Sequence, residues 1–347
     1  MRLIITVQIQ TVNGPLDPTS LGITLSHEHV NINFECAWVP PPTGKEYLRD
    51  LEVTIERMNE IRNNAHYVKS NLILHNEIAA IKEISYFKKA GGNSIISLTN
   101  VGLYPDPLFL QGVSQSTGIN IIAGSGYYRR ISQKNSVVSK KSDQIAREII
   151  YSIYTGIGNT KIRAGIIGEI GTSSPLQPFE KESLIGAVKA QQATGAALNI
   201  HPEVWGHTHL DLLDIVEDAG GDLTRTILSH MDELTDSNYH LKVAERGVYL
   251  SFDTFGSEFV CDGISEPNDE DRISCLVALL KAGYKDKIVL SHDICYKVQL
   301  KEYGGKGYDH IIVNIIPRLK RMGVTDNEIR SMMVDNPKRI LAFKLQQ

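Results

Sequence analysis

A closed barrel of eight parallel strands, each followed by a helix, is the (β/α)8 fold this 347-residue sequence predicts. Three observations carry the prediction. Eight short β-branched runs recur along the chain, and several are apolar without alternation, as strands buried on both faces must be. Longer amphipathic segments separate them. Those segments stop at glycine, the residue that closes a helix in the left-handed conformation, and a new strand then begins.

The predicted strands are Ile23–Leu25, Ser94–Leu98, Asn120–Ala123, Ala164–Ile167, Ala197–Ile200, Thr226–Leu228, Val248–Phe252 and Lys287–Leu290. Helices are expected over Asn76–Ala90, ended by Gly91-Gly92, and over Pro178–Thr194, ended by Gly195. Leu210–Ala219 stops at Gly220-Gly221, and Asp269–Ala282 stops at Gly283. Two segments exceed a minimal barrel. One is an insertion at 34–65 containing Pro40-Pro41-Pro42, and the other is the Tyr- and Gly-rich loop Cys295–Asp309. Both follow strands, so both belong on the C-terminal face, where barrel enzymes build their sites. A C-terminal helix is expected at 326–344, with a kink or restart at Pro337. With no linker, repeat or low-complexity tract, residues 1–347 read as a single domain.

Composition narrows the function classes. The hydrophobic set makes up 42% and charged residues 22%, a balance that provides a core and argues against disorder, collagen or a coiled coil. A net charge of −4 offers no basic face for nucleic acid. The four cysteines (Cys36, Cys261, Cys275, Cys295) form no close pair, so a zinc ribbon or disulfide framework is not expected and a reducing compartment is. Met1–Val7 is basic and then apolar, but Gln8 ends the run too early for a signal peptide. No segment approaches the roughly 18 apolar residues of a membrane helix. The expectation is a soluble, cytoplasmic protein.

The strand ends hold the chemistry. Strand one runs into His27-Glu28-His29, strand four into Glu169, strand five into His201, strand six into His230 and strand eight into His292-Asp293. Residues i and i+2 of a strand share a face, so His27 and His29 can meet one ion. Imidazole and carboxylate together suit zinc and similar divalent metals. Each residue alone has an ordinary reading: a core histidine, a salt-bridge glutamate, an N-capping aspartate. Their joint occurrence at equivalent ends of separate strands favours a metal centre on the C-terminal face.

The order His-x-His, carboxylate, His, His, Asp resembles that of the amidohydrolase superfamily. GPLDPTSLGITLSHEH at Gly14–His29 is similar to the N-terminal signature of its phosphotriesterase family. GIIGEIG, LNIHP, LSHMD and SHDI extend the resemblance over nearly the whole chain. The proline run and YGGKGY at Tyr303–Tyr308 resemble the phosphotriesterase-related subgroup of animals, which implies hydrolysis of N-acetyltaurine and related N-acetyl amino acids. In one respect the chain departs from the wider family, in which a carboxylated lysine bridges two metals. Glu169 stands at that position, and Lys161 lies too far back along the strand to substitute. The resemblance implies two divalent ions, zinc by default. One takes His27, His29 and Asp293, the other takes His201 and His230, and Glu169 and a hydroxide bridge them. Counting charge leaves about one positive unit to favour an oxyanion. Asp293 would act catalytically, moving a proton from the bridging hydroxide to the leaving amine. A small anionic substrate is the implied partner, and a homodimer is the assembly to expect.

Substrate-binding candidates are Tyr128, Lys297, Tyr308, His310 and Asp253. Tyr128 follows strand three and either reaches the site or packs. Lys297 is the best-placed cation by sequence for a sulfonate or carboxylate, with a solvated lysine as the alternative. Arg129 and Arg130 form another cationic pair, though such doublets are mostly surface. Asp253 ends strand seven and either contacts substrate or orients a metal-binding histidine. His207 and His209 fit surface or capping roles, and His66, His75 and His240 fall in helical patterns. Cys295 has no role that hydrolysis needs. The leading expectation is a binuclear amidohydrolase converting N-acetyltaurine to taurine and acetate. The alternatives are a phosphotriesterase or lactonase on the same centre, and a noncatalytic metal-bound binding protein.

Overall fold

The computed structural model describes residues 7–344, so the start of the Met1–Val7 run lies outside the described residues. Each predicted run becomes a barrel strand. They are β1 (Thr24–Glu28), β2 (Ser94–Ser97), β3 (Asn120–Ser125), β4 (Ile166–Gly171), β5 (Leu198–His201), β6 (Thr226–Leu228), β7 (Tyr249–Phe252) and β8 (Ile288–Leu290). All eight lie in one sheet in sequence order, with every neighbouring pair parallel. The first and last strands meet through side chain and backbone: Ser26 Oγ donates to the Leu290 carbonyl at 3.0 Å. The Asp293 N–H donates to the His27 carbonyl at 3.3 Å.

Strand alternation builds two apolar layers. Ile96, Leu98, Ile122, Ile166, Ala197, Ile227 and Val289 fill the barrel interior, closed below by Ile9, Leu21, Ile340 and Leu341. Their strand neighbours Ile95, Ile121, Ile167, Leu198, Leu228 and Leu290 point outward into the larger cluster under the helices. That outer layer consists of α1 (Glu77–Lys89), α2 (Pro107–Thr117), α3 (Ser142–Tyr154), α4 (Pro178–Thr194), α5 (His209–Asp218), α6 (Ser237–Ala244) and α7 (Asp269–Lys281), followed by helical turns over 311–321 and 326–341. Asn76, Asp106, Asp236 and Asn268 cap α1, α2, α6 and α7 with side-chain oxygens on first-turn N–H groups.

Three boundaries differ from expectation. β4 runs on to Gly171, beyond the predicted Ile167. Glycines 168 and 171 look like turn residues in sequence, but Gly168 is there for close approach: a Cβ on it would stand 2.4 Å from the Asn199 carbonyl oxygen of β5. The insertion is longer than 34–65. It leaves through Ile32–Asn33, passes through short helical turns, and returns through Ile73–Leu74, which pairs antiparallel with the exit segment. The terminal helix ends at Leu341 rather than 344, because Phe343–Lys344 pair with Val7 and Gln8 as a small sheet. Pro337 sits in the first turn of its last segment, where a missing N–H costs little. No helix of the described residues is long and apolar enough to cross a membrane.

Candidate metal centre

The C-terminal strand ends bring His27, His29, Glu169, His201, His230 and Asp293 together. Glu169 lies at the centre. Its Oε1 is 3.4 Å from His29 Nε2, and its Oε2 is 3.5 Å from His27 Nε2, 3.1 Å from His201 Nδ1 and 3.8 Å from His230 Nε2. Asp293 Oδ1 lies 3.2 Å from His29 Nε2 and 3.5 Å from His27 Nε2. His201 Nδ1 and His230 Nε2 are 2.7 Å apart. Potential ligand atoms of His27, His29 and Glu169 lie within 4.8 Å of one another, and so do those of Glu169, His201 and His230. Glu169 therefore belongs to both groups.

Backbone geometry aims two of these side chains. His230 and Asp293 adopt left-handed φ values of 56° and 50°, uncommon for residues other than glycine. Each lies just beyond a strand of three residues, so the chain turns sharply there and points the side chain into the barrel mouth.

Hydrogen bonds decide which imidazole nitrogen faces inward. A carboxylate only accepts, so the contact of Asp253 with His230 Nδ1 at 2.9 Å places the proton on that nitrogen. Ser229 donates its hydroxyl proton to Asn199 Oδ1 at 3.0 Å, so its oxygen accepts from His27 Nδ1 at 3.0 Å. Both Nε2 lone pairs then point at the centre. Thr99 donates its hydroxyl proton to the Asn31 carbonyl at 2.6 Å, so its oxygen accepts from His29 Nδ1 at 2.8 Å. His29 is thereby set the same way. His201 turns Nδ1 inward, and its Nε2 lies 3.2 Å from the Tyr128 hydroxyl.

A buried array of this kind fits cations. Every side chain in it is at most 7% exposed except that of Asp293, which is 20% exposed. His27 Nε2, Glu169 Oε2 and Asp293 Oδ1 are buried and have no hydrogen-bond partner among the described residues. These are the atoms that two shared ions would take. The electrostatics agree. Burial disfavours charge on Glu169, yet His27 and His201 hold its carboxyl well below the usual range. Burial likewise lowers His29, but Asp293 and Glu169 overcome it and raise the imidazole to about 9. A field that favours positive charge on His27, His29 and His230 favours metal ions as well, whereas burial outweighs it at His201 and lowers that imidazole.

A cavity of about 270 Å³ opens onto the centre. Tyr128 lines it, and burial pushes its phenol well up, so the hydroxyl keeps its proton. The remaining substrate candidates do not line it. Lys297 borders a separate cavity beside Glu83 and Glu302, because the last loop folds back against α1. Tyr308 is buried and donates to the His29 carbonyl at 3.1 Å. His310 is buried against Asp269 at 2.7 Å. Asp253 is fully buried behind the histidines, so it orients them and has no access to a substrate. His66, expected in a helix, lies in the irregular end of the insertion and lines the cavity, its Nε2 at 2.8 Å from Tyr296.

Glu28 was missed by the sequence reading. It alternates away from His27 and His29, and its carboxylate accepts from Ser291 Oγ at 2.8 Å, His292 Nδ1 at 2.8 Å and the N–H groups of His292 and Ile294 at 3.0 and 2.9 Å. It thus ties the end of β1 to the turn that presents Asp293. Strand alternation signalled only that it would face away; its partners lie more than 260 positions along the chain.

Fold and site together define a barrel protein with a histidine–carboxylate centre able to hold metal at its mouth. The chain belongs to the phosphotriesterase family, whose profile matches residues 7–341, and it is a hydrolase. It is similar to the N-acetyltaurine hydrolase of Xenopus tropicalis, at 38% identity over 97% of this chain and 98% of that one. Among solved structures it resembles a resiniferatoxin-binding protein from Rhodobacter sphaeroides, with a TM-score of 0.94, 37% identity and coverage of 96% and 94%. It also resembles the phosphotriesterase homology protein of Escherichia coli, solved with phosphate in its active site, with a TM-score of 0.78, 28% identity and coverage of 93% and 99%.

Proposed function

We propose that this protein is a binuclear metal-dependent amidohydrolase acting on small N-acetylated amino and sulfonic acids, with N-acetyltaurine, cleaved to taurine and acetate, as its main substrate. The observation that carries the reading is near full-length similarity to N-acetyltaurine hydrolases in a chain whose six candidate ligands converge on a shared Glu169. His27, His29 and Asp293 would hold one ion and His201 and His230 the other, with Glu169 between them. Two divalent ions held there, zinc by the donor set, would supply a water of lowered pKa as nucleophile and a positive field for the developing oxyanion.

The protein's own groups do the rest. Asp253, Ser229 and Thr99 keep three imidazoles in the tautomer that offers Nε2. Asp293 is the one candidate ligand with appreciable exposure to the cavity, so its carboxylate takes the proton from the nucleophile and delivers it to the leaving nitrogen. An amine leaves poorly without that proton, which makes this step most consequential for an amide. Tyr128 projects its phenol beside His201, where it orients the substrate carbonyl. We also place the chain in the cytoplasm as a single domain and a homodimer.

The test is turnover by metal-replete protein, with metal content measured on the same sample. Acetate release from N-acetyltaurine at a kcat/KM far above hydrolysis of paraoxon or a γ-lactone supports the proposal. Turnover of only the ester or phosphotriester assigns the second chemistry to this centre. Two bound ions with no turnover of any of the three indicates a binding protein.

A further inference from the structure

An anionic substrate needs a cation, and Lys297 does not border the cavity. Arg129 is the one Lys or Arg among the described residues that line it. It follows Tyr128 directly, just past β3, and both residues line the cavity. Its backbone seat depends on a glycine: a Cβ at Gly171, two residues past Glu169, would stand 2.3 Å from the Arg129 nitrogen. The side chain is 32% exposed and is held by one long contact, Nη2 to Glu203 Oε2 at 3.5 Å. Arg129 Nε has no hydrogen-bond partner among the described residues, and neither does Trp205 Nε1 of the same cavity. Cys36 and Arg129 both line the cavity. On another wall, Glu233 and Glu266 face the cavity, with Glu233 paired to Arg272 at 2.9 Å. Glu203 lines the cavity as well and is the partner of Arg129, so an anion reaching the guanidinium competes with one long contact.

Building on the amidohydrolase reading, we propose that Arg129 is the specificity-determining residue of this site, binding the sulfonate or carboxylate carried by the amine half of the substrate. A planar fork of N–H donors suits either oxyanion, and the fixed distance from Arg129 to the metal centre then selects the spacer between anion and amide. The acetyl half carries no charge and needs no such partner.

Three substrates test this on metal-loaded wild type, Arg129→Gln and Arg129→Lys. N-acetyltaurine carries the sulfonate, N-acetyl-β-alanine carries a carboxylate on the same two-carbon spacer, and N-acetylethanolamine is neutral. For Arg129→Gln we expect KM for both anions to rise about 30-fold or more, with kcat changing less. The preference for anionic over neutral substrate should collapse, and Arg129→Lys should recover part of it. The larger loss identifies which of the two anions the site is built for. Unchanged metal content and melting temperature exclude misfolding. KM values within about threefold of wild type in folded, metallated Arg129→Gln would overturn the assignment and leave the amidohydrolase reading intact. If wild type turns over none of the three, that reading fails, and calorimetric binding of N-acetyltaurine decides the role of Arg129. Binding lost in Arg129→Gln upholds it; equal binding, or none to wild type, overturns it.

Discussion

Asp253 grips His230 twice, its Oδ1 accepting from the backbone N–H at 2.8 Å and from the ring Nδ1–H at 2.9 Å. The same carboxylate reaches His27 Nδ1 through its other oxygen, at 3.1 Å. One buried residue just past β7 thus sets the tautomer of His230 and stands against His27, one histidine from each proposed ion's ligand set. Asp253→Asn keeps the shape but lets either nitrogen carry the proton. Metal affinity should fall about 10- to 100-fold in competition with a chromophoric chelator. Wild-type affinity in the variant would remove Asp253 from the account of the centre.

Glu169 is shared by both candidate ligand groups. In Glu169→Gln one acceptor oxygen becomes an NH2 that cannot ligate. Metal content measured by mass spectrometry should drop below two ions per chain, and turnover by more than about 100-fold. Two tightly held ions with full activity would mean that Glu169 does not bridge.

Glu28→Ala leaves four buried donors without their acceptor. Each orphaned donor carries a desolvation cost, so we expect a loss of about 3–5 kcal/mol in urea unfolding. The turn bearing Asp293 should loosen as well, which amide exchange at Ile294 would report. A loss under about 1 kcal/mol would contradict the bracing role.

Removing metal should destabilise the fold, because ions that bind only the folded state stabilise it by mass action. At free zinc about 100-fold above Kd the gain is about 2.7 kcal/mol per site. The melting temperature should fall on dialysis against a chelator and return on adding zinc. Identical melting with and without metal would argue against the centre.

His209 supplies a pH dependence away from the centre. Burial pushes its imidazole down to about 3, against about 6.5 in an unfolded chain. Between those values the unfolded state binds a proton that the folded state does not. Stability is therefore intact above about pH 6.5 and declines as the pH falls toward 3. In urea titrations at pH 7.5, 6.5 and 5.5, the wild-type decline should be steeper than that of His209→Gln. Parallel slopes would show that His209 titrates freely in the fold.

Local pattern was enough for the barrel. Runs such as Ser94–Leu98 and Asn120–Ala123 are short and apolar on both faces, as a strand covered on both sides requires. The candidate ligands were equally legible, because each stands where a strand stops and a parallel barrel gathers all its strand ends on one face. The boundaries were less so. The extension of β4 to Gly171 depends on how closely β5 approaches, and the insertion closes through pairing of Ile32–Asn33 with Ile73–Leu74, some forty residues on.

By itself, then, the sequence determined the fold class and the six candidate ligands, since these follow from periodicity and from residue types at strand ends, while the family resemblance implied the central place of Glu169. The tertiary structure alone decided which cation faces the cavity. Lys297 and Arg129 both follow strands, and sequence position favours Lys297, which the fold overturns. The last loop folds against α1 and carries Lys297 away, whereas Gly171 leaves room for Arg129 at the mouth. The orienting roles of Glu28 and Asp253 were decided there too, because their partners are brought within 3 Å or so by packing between strands far apart in the chain.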